Sequence, residues 1–367
     1  MGIIQFAKKP VVFTIRLKGK PINTTHHHSW SSPRIRLARY LLPLIIFGLA
    51  VYLLLPQIET LEDSINVIRS MSVWLIGLAV IAQVCSYLGS GYLLQVIVDL
   101  GPAHLSIVRG ALITLAAYSV GLVAGGWVGA AAATYLWIEK SEDNSQEAAL
   151  AGVLPTLYNN AVLILVTVIG VVYLLTNHRL SSTQAVTYAA FLALLGLAIG
   201  VVIYGIRHQH TVEGLVLGIA SRLMHLLRRP YNETSLRNVM DNIFLGLALL
   251  RKRGWLRPLL GSVMNNGFDM LTLYLLFIAA RYPINLGVMV AGYGLAFLLG
   301  KAAFLFPGGV GVIESGMVAI YTNLGIPASI CVVVVLGYRL LSFWLPTLFG
   351  FAAYGYLQQE TSAYLKG

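Results

Sequence analysis

Charge is scarce in this chain. Only 11% of its 367 residues are charged and 57% are hydrophobic, where a soluble domain carries about 25% charged residues. That shortage excludes an ordinary soluble fold and leaves a polytopic membrane protein. Cysteine is nearly missing too: Cys85 and Cys331 both lie inside apolar runs, which excludes a disulfide framework or a zinc knuckle and leaves small core residues. No Gly-x-x-x-x-Gly-Lys-Ser/Thr stretch occurs, so the phosphate-cradling loop of an ATP-driven motor is absent. Phe6 stands where a myristoylation signal wants Ser or Thr, and the first apolar run begins only near Arg39, too late for a cleavable signal peptide.

The charge that is present is uneven. A net charge of +11 suggests nucleic acid until the positions are read. Residues 1–39 hold Lys8, Lys9, Arg16, Lys18, Lys20, Arg34, Arg36 and Arg39 and no acidic residue, which places the N-terminus in the cytoplasm by the positive-inside rule. The segment 207–257 holds nine basic residues against Glu213, Glu233 and Asp241, so it also faces the cytoplasm, where anionic lipid headgroups are its natural counter-charge. The run His26, His27, His28 reads as exposed tail rather than as a metal site.

Apolar runs of crossing length occupy 38–56, 73–97, 147–176, 183–206, 258–281 and 326–357. Two further apolar regions, 106–138 and 284–323, break at glycines: Gly125 and Gly126 in the first, Pro307, Gly308, Gly309 and Gly311 in the second. Both basic segments lie inside only if region 106–138 enters and leaves on the cytoplasmic side. Region 284–323 then opens to the outside. A re-entrant hairpin and a pair of crossings satisfy this parity equally. Gly125-Gly126 recurs as Gly308-Gly309, and Tyr158-Asn159 as Tyr338-Arg339, both about 180 residues later, the pattern of an inverted repeat with broken helices. The expected fold is an all-α polytopic membrane protein of six full spans plus two glycine-broken re-entrant hairpins. Its parts are a basic tail (1–37), an N-terminal membrane repeat (38–206), a cytoplasmic linker (207–257), a C-terminal membrane repeat (258–358) and a short tail (359–367). Within the linker, 212–229 and 235–253 each carry one apolar helical face and lie flat in the interface. The expected location is the cytoplasmic membrane, with both termini inside.

Of the 39 charged residues (25 basic, 14 acidic), Asp269, Lys301, Glu314 and Arg339 alone fall well within apolar segments. Charges at such depth cost about 2.5–3.5 kcal/mol on insertion scales and normally find partners or line a wet cavity. Two readings stand. In one, Glu314–Arg339 and Asp269–Lys301 are structural ion pairs. In the other, Arg339 and Lys301 bind the phosphate of an anionic lipid, the glycine turn offers it backbone N–H groups, and Glu314 holds Arg339 when the phosphate is absent. In the N-terminal half, Tyr158, Asn159 and Asn160 occupy the matching span, as amide contacts to a headgroup or as glue between helices. Glu139, Glu142, Asp143 and Glu147 form an acidic loop that lacks the ligand spacing of a cation site.

The run Lys301-Ala-Ala-Phe-Leu-Phe-Pro-Gly-Gly-Val-Gly-Val-Ile-Glu314, followed by Gly337-Tyr-Arg-Leu-Leu-Ser-Phe-Trp-Leu-Pro346 and Gly350, resembles the membrane region of lysylphosphatidylglycerol synthases and of the stand-alone flippase-like proteins related to them. The order of spans extends the resemblance over roughly 38–357. It implies a lipid-translocating module, for aminoacylated phosphatidylglycerol in the fused enzymes and for polyprenyl-linked or other lipids in some stand-alone relatives. Glu314, Arg339 and the glycines carry over directly. The family often has Gly-Glu after its first glycine turn and an arginine in the next span; here stand Gly126-Trp127-Val128-Gly129 and Asn159-Asn160, so headgroup preference is expected to differ. The chain closes at Gly367 without an aminoacyl-transferase domain, so aminoacylation is not expected of it.

The function expected is ATP-independent translocation of an anionic lipid, a phospholipid or a polyprenyl phosphate, with no enzymatic step, no cofactor and no metal. The candidate substrate-binding residues are Arg339, Glu314, Lys301, Asp269, Gly308, Gly309, Gly311, Asn159 and Asn160. The partners are the anionic headgroup and the membrane, not nucleic acid, with a lipid-modifying enzyme as a candidate companion. Two other functions compete: a membrane-embedded transferase acting on lipid-linked sugars or phosphates, and an accessory subunit without transport of its own.

Overall fold

A computed structural model of the chain describes residues 61–100, 104–123, 126–142, 145–177, 180–207, 217–218, 254–303 and 307–364. The tail 1–37, the run 38–56, Gly125, Asp143 and nearly all of the linker 207–257 lie outside the described residues. Those described are helices and the turns joining them, with no strand among them. Lipid explains this: a crossing segment must satisfy every backbone N–H and C=O within itself, and the α-helix does so.

Eleven described helices follow in order: α1 (Leu61–Ser70), α2 (Val73–Val98), α3 (Ile107–Val123), α4 (Trp127–Glu142), α5 (Ser145–Asn177), α6 (Ser182–Arg207), α7 (Leu256–Ala279), α8 (Leu286–Ala302), α9 (Val312–Asn323), α10 (Ala328–Arg339) and α11 (Leu345–Tyr364). The five expected runs among the described residues therefore match helices to within a few residues, except that the last continues to Tyr364. Three stretches among the described residues are long and apolar enough to cross a membrane outright: Val73–Val98, Leu150–Asn177 and Ala328–Gln359. Helix α7 has 24 residues but carries Arg257, Asn265, Asn266 and Asp269. Each glycine-broken region is a pair of short helices, α3 with α4 around Gly126 and α8 with α9 around the turn Pro307–Gly309.

Local chemistry sets the helix ends. Asn285 caps α8, its side-chain oxygen accepting from the N–H groups of Gly287 (2.9 Å) and Val288 (3.3 Å), as an N-cap does. Between α10 and α11 the chain widens into a π-turn, Leu340–Trp344. Pro346 follows in the first turn of α11 and has no N–H for the carbonyl four residues back, that of Ser342. The Tyr87 hydroxyl on α2 donates to that carbonyl at 2.8 Å. The side chain thus satisfies a group that lipid could not.

Helices α2 and α7 form the central pair. Small residues let their backbones meet: a Cβ on Gly89 would lie 2.7 Å from the Asn265 backbone nitrogen, and one on Gly261 2.8 Å from Leu93 Cα. At that crossing Ser86 Oγ donates to the Asn265 carbonyl (2.9 Å), and the Asn265 amide donates back to the Ser86 carbonyl (3.1 Å) and Oγ (3.0 Å). Close approach joined by hydrogen bonds is how helices associate where lipid removes the hydrophobic drive. On the flanks α3 lies against α11 and α5 against α8. The main core gathers Phe277, Met289, Met317, Tyr321 and Tyr338, with the Tyr321 hydroxyl on the Met289 carbonyl at 2.9 Å. Outward-facing positions are large and apolar, such as Val73 at 81%, Leu348 at 67% and Phe349 at 66% exposed, a surface fit for acyl chains rather than water.

Candidate functional site

The second glycine turn is built by backbone geometry. Gly308, Gly309 and Gly311 have φ of 67°, 63° and 83°, values that side chains rarely adopt. A Cβ on Gly308 would also lie 2.6 Å from the Phe343 ring and 2.9 Å from Leu122. The turn is thus pressed between the π-turn and α3, close to the first break at Gly126, where φ is again positive at 70°.

Glu314 enters as the third residue of α9 and turns back on this loop. Its Oε2 accepts from the Gly311 N–H at 2.7 Å, and its Oε1 accepts from Arg339 Nε at 2.7 Å. The first bond is half of a capping box, the carboxylate satisfying the N–H that opens the helix; glycine supplies no side chain for the other half. The Arg339 guanidinium also donates to the Gly308 carbonyl at 3.3 Å and lies 4.3 Å from the Phe343 ring centroid. Arg339 therefore binds the turn, its helix and its π-turn into one unit. The two charged side chains are 4% and 9% exposed, so the pair is closed off.

Asp269 stands a short way off, about 20 Å along α7 from Leu256 and about 15 Å from Ala279 at helical rise. Its Oδ2 accepts from Tyr293 (2.7 Å) on α8 and from Tyr338 (2.5 Å) on α10. The Gln83 amide lies close enough to act on the same carboxylate as an N–H donor. The rings of Tyr293, Phe297 and Tyr338 stack edge-on or tilted around it, with centroids 4.6–6.4 Å apart.

Three expectations need correction or refinement. Asp269 does not pair with Lys301: tyrosines fill its place, and Lys301 lies exposed in the last turn of α8, about 12 Å along that helix from Tyr293. Among the described residues Lys301 makes no ion pair, and its position at a helix C-terminus suits a cation. The Gly311 N–H is not offered to an external anion, because Glu314 occupies it. Arg339 is likewise held by Glu314 and Gly308 rather than open to solvent. The expected Glu314–Arg339 pair is present.

The amides of the N-terminal half form a separate network. Asn159 Oδ1 accepts from Ser262 Oγ at 2.7 Å and from the Asn266 amide at 3.3 Å, tying α5 to α7. Asn160 presents a buried Oδ1 without a donor. Sequence reading missed Gln83, Tyr87 and Tyr293. A hydroxyl in an apolar run carries little signal, although Tyr293 and Phe297 sit one turn apart on the face that meets Asp269. Glu139, Glu142 and Glu147 lie on α4 and α5, and Asp143 falls outside the described residues; among those described, no three His, Cys, Asp or Glu side chains gather as a metal would require.

A helical membrane protein with a buried ion pair locked onto a glycine break, and a second carboxylate held by tyrosines beside it, is the class defined here. Residues 40–350 match the lysylphosphatidylglycerol synthase TM region family, and the chain belongs to it. A UPF0104 membrane protein of Methanocaldococcus jannaschii is 28% identical over 163 residues, 44% of this chain and 48% of that protein. A UPF0104 membrane protein of Methanothermobacter thermautotrophicus is 32% identical over 94 residues, 26% of this chain and 28% of that protein. The chain thus spans about half the length of the first relative it matches and just over a quarter of the second. Membership of the family connects the chain with membrane lipids.

Proposed function

We propose that the chain is an ATP-independent translocator of an anionic lipid, a phospholipid or a polyprenyl phosphate, in the cytoplasmic membrane, and that it makes and breaks no covalent bond. One observation carries this: the Glu314 carboxylate sits where a phosphate would. Its two oxygens take an Arg339 N–H and the Gly311 N–H, the same two kinds of donor that bind phosphates elsewhere, a guanidinium and a glycine-turn amide. When Glu314 swings away it frees both donors at once. A headgroup phosphate then replaces one anion by another, so the charge balance of the buried site survives the exchange. Lys301, exposed at the end of α8, is suited to meet the headgroup first.

An inverted repeat of six spans and two re-entrant hairpins supplies the motion. Helix starts recur in order: Val73 and Leu256, Ile107 and Leu286, Trp127 and Val312, Ser145 and Ala328 are 183, 179, 185 and 183 positions apart. Packing recurs as well, since α3 of the first half lies on α11 of the second, and α8 of the second on α5 of the first, the exchange a two-fold axis produces. Gly170 and Gly350, 180 positions apart, are each a close contact in one of those interfaces: a Cβ on Gly170 would lie 2.5 Å from the Ala291 nitrogen, and one on Gly350 closer still to the Leu115 carbonyl oxygen. Rocking of such halves about a fixed site is how inverted repeats alternate access.

The test is transbilayer movement of fluorescent phospholipid and polyprenyl phosphate in vesicles reconstituted with the purified chain. Arg339→Lys keeps the charge and loses the planar fork, while the double change Glu314→Gln with Arg339→Gln leaves no unpaired charge. Both are expected to insert and fold, checked by circular dichroism, and to lose most transport. Full activity in either refutes the phosphate-exchange role of Arg339.

A further inference from the structure

The charges at the site do not sum to zero. Glu314 and Arg339 neutralise one another, and Lys301 lies exposed at the far end of its helix. Among the described residues Asp269 therefore has no cation of its own. Arg339 acts on it electrostatically, but that positive charge is already matched by Glu314. Two tyrosine hydroxyls stabilise a carboxylate through charge-assisted bonds without cancelling its charge. A net negative charge at that depth in a span calls for a counter-ion.

The neighbourhood supplies a second sign of an unmet positive partner. Gln83 is 5% exposed and its Oε1, a strong acceptor, has no donor among the described residues, while the N–H end of the same amide acts on Asp269. Buried acceptors without donors are uncommon. Turning that amide over brings the orphaned oxygen to the carboxylate and, with the tyrosine oxygens, makes an oxygen-rich nest with one negative charge. Asp269 itself is only partly buried, so a small ion has a way in.

We propose that Asp269 and Gln83, framed by Tyr293 and Tyr338, form a binding site for one monovalent cation, a proton or a sodium ion. A sodium ion would take the Asp269 oxygen and, with the amide turned over, Gln83 Oε1 as ligands, hard oxygen donors of the kind such ions prefer. A proton would sit on Asp269 and be accepted by Gln83 Oε1 once that amide has turned over. Either restores neutrality. The groups close enough to act on Asp269 are Gln83 and Tyr87 on α2, Tyr118 on α3, Tyr293 on α8, and Tyr338 and Arg339 on α10. The site rests on the translocation reading only for its use, as the point where an ion gradient drives the lipid.

The full chain in nanodiscs, without any transport, decides between the outcomes. Infrared difference spectra are recorded across pH at fixed sodium, together with equilibrium binding of radioactive sodium at fixed pH. A carboxylic-acid band that titrates in the wild type and vanishes in Asp269→Asn identifies the proton; saturable sodium binding of one ion per chain, lost in Asp269→Asn, identifies sodium. Gln83→Leu leaves all charges in place and is expected to weaken sodium binding at least tenfold or to move the titration midpoint by a pH unit or more. An Asp269 that stays ionised throughout, with no bound sodium and no effect of Gln83→Leu, overturns the proposal. Cation binding with no lipid movement in vesicles would leave the site standing and sink the translocation reading instead.

Discussion

Breaking the Glu314–Arg339 pair from one side should be far more damaging than removing it whole. At 2.7 Å, and with an effective dielectric of about 20, the gross attraction is about 6 kcal/mol. Desolvation of two side chains that are 4% and 9% exposed offsets much of that, which is why the intact pair adds little net stability. A single change removes the attraction and keeps the desolvation. In Glu314→Gln the guanidinium loses its counter-charge and keeps only neutral acceptors, the Gln amide oxygen and the Gly308 carbonyl, beside the Phe343 ring. In Arg339→Met the carboxylate retains only the Gly311 N–H. Each single variant is therefore expected to lose about 3–5 kcal/mol. The double variant, with no buried charge, is expected to fall within about 1–2 kcal/mol of the wild type, a coupling of about 4 kcal/mol or more and thus above the usual range. Reversible unfolding in mixed micelles, followed by helicity, measures all four corners of the cycle, and added salt should change the result little because the pair is shielded from the solvent. Singles that each cost under about 1 kcal/mol and simply add would refute the account.

Two further substitutions test the frame around the site. Gly170→Leu and Gly350→Leu, at matching places in the α5–α8 and α3–α11 contacts, should each cost about 1–3 kcal/mol through overpacking against backbone, seen in the same unfolding assay; a harmless change at one alone would break the proposed equivalence of the two halves. Tyr87→Phe removes the donor to the Ser342 carbonyl and should cost about 1–3 kcal/mol for an unsatisfied buried group, whereas Tyr87→Phe combined with Pro346→Ala, which restores a helical N–H, should recover most of it.

Much of the frame is legible before any coordinates, because lipid narrows the choices. A run of apolar residues in a membrane becomes a helix whatever its periodicity, so 147–176 and 326–357 forecast α5 and the continuous α10–α11 closely. Glycines that interrupt such runs mark backbone that a side chain would not permit, and the positive φ values at Gly126, Gly308, Gly309 and Gly311 bear that out. The Glu314–Arg339 pair was legible for a cruder reason, that buried charges seek opposite partners. The same rule fails at Asp269. Charge counting matches it with Lys301, but helix register sets what reaches it, and register brings Tyr293 there while holding Lys301 two turns further along. Tyrosine hydroxyls and a glutamine in apolar runs look like core residues until the helices are packed.

On the proposed reading, the two halves of the repeat differ in what it takes to open them. Asn159 stands 180 positions before Arg339, and where Arg339 makes an ion pair Asn159 makes hydrogen bonds to Ser262 and Asn266. Interhelical hydrogen bonds in membranes are worth about 0.6 kcal/mol on average, close to thermal energy, so the amide side can part and re-form without help. The charged side cannot: separating Glu314 from Arg339 leaves two unpaired charges in a dry site, unless another anion arrives as Glu314 leaves. One half is then a latch that thermal motion opens, and the other a lock that only an anionic headgroup releases. Two latches would let the helices move with no lipid aboard; the single lock ties their motion to the arrival of a headgroup.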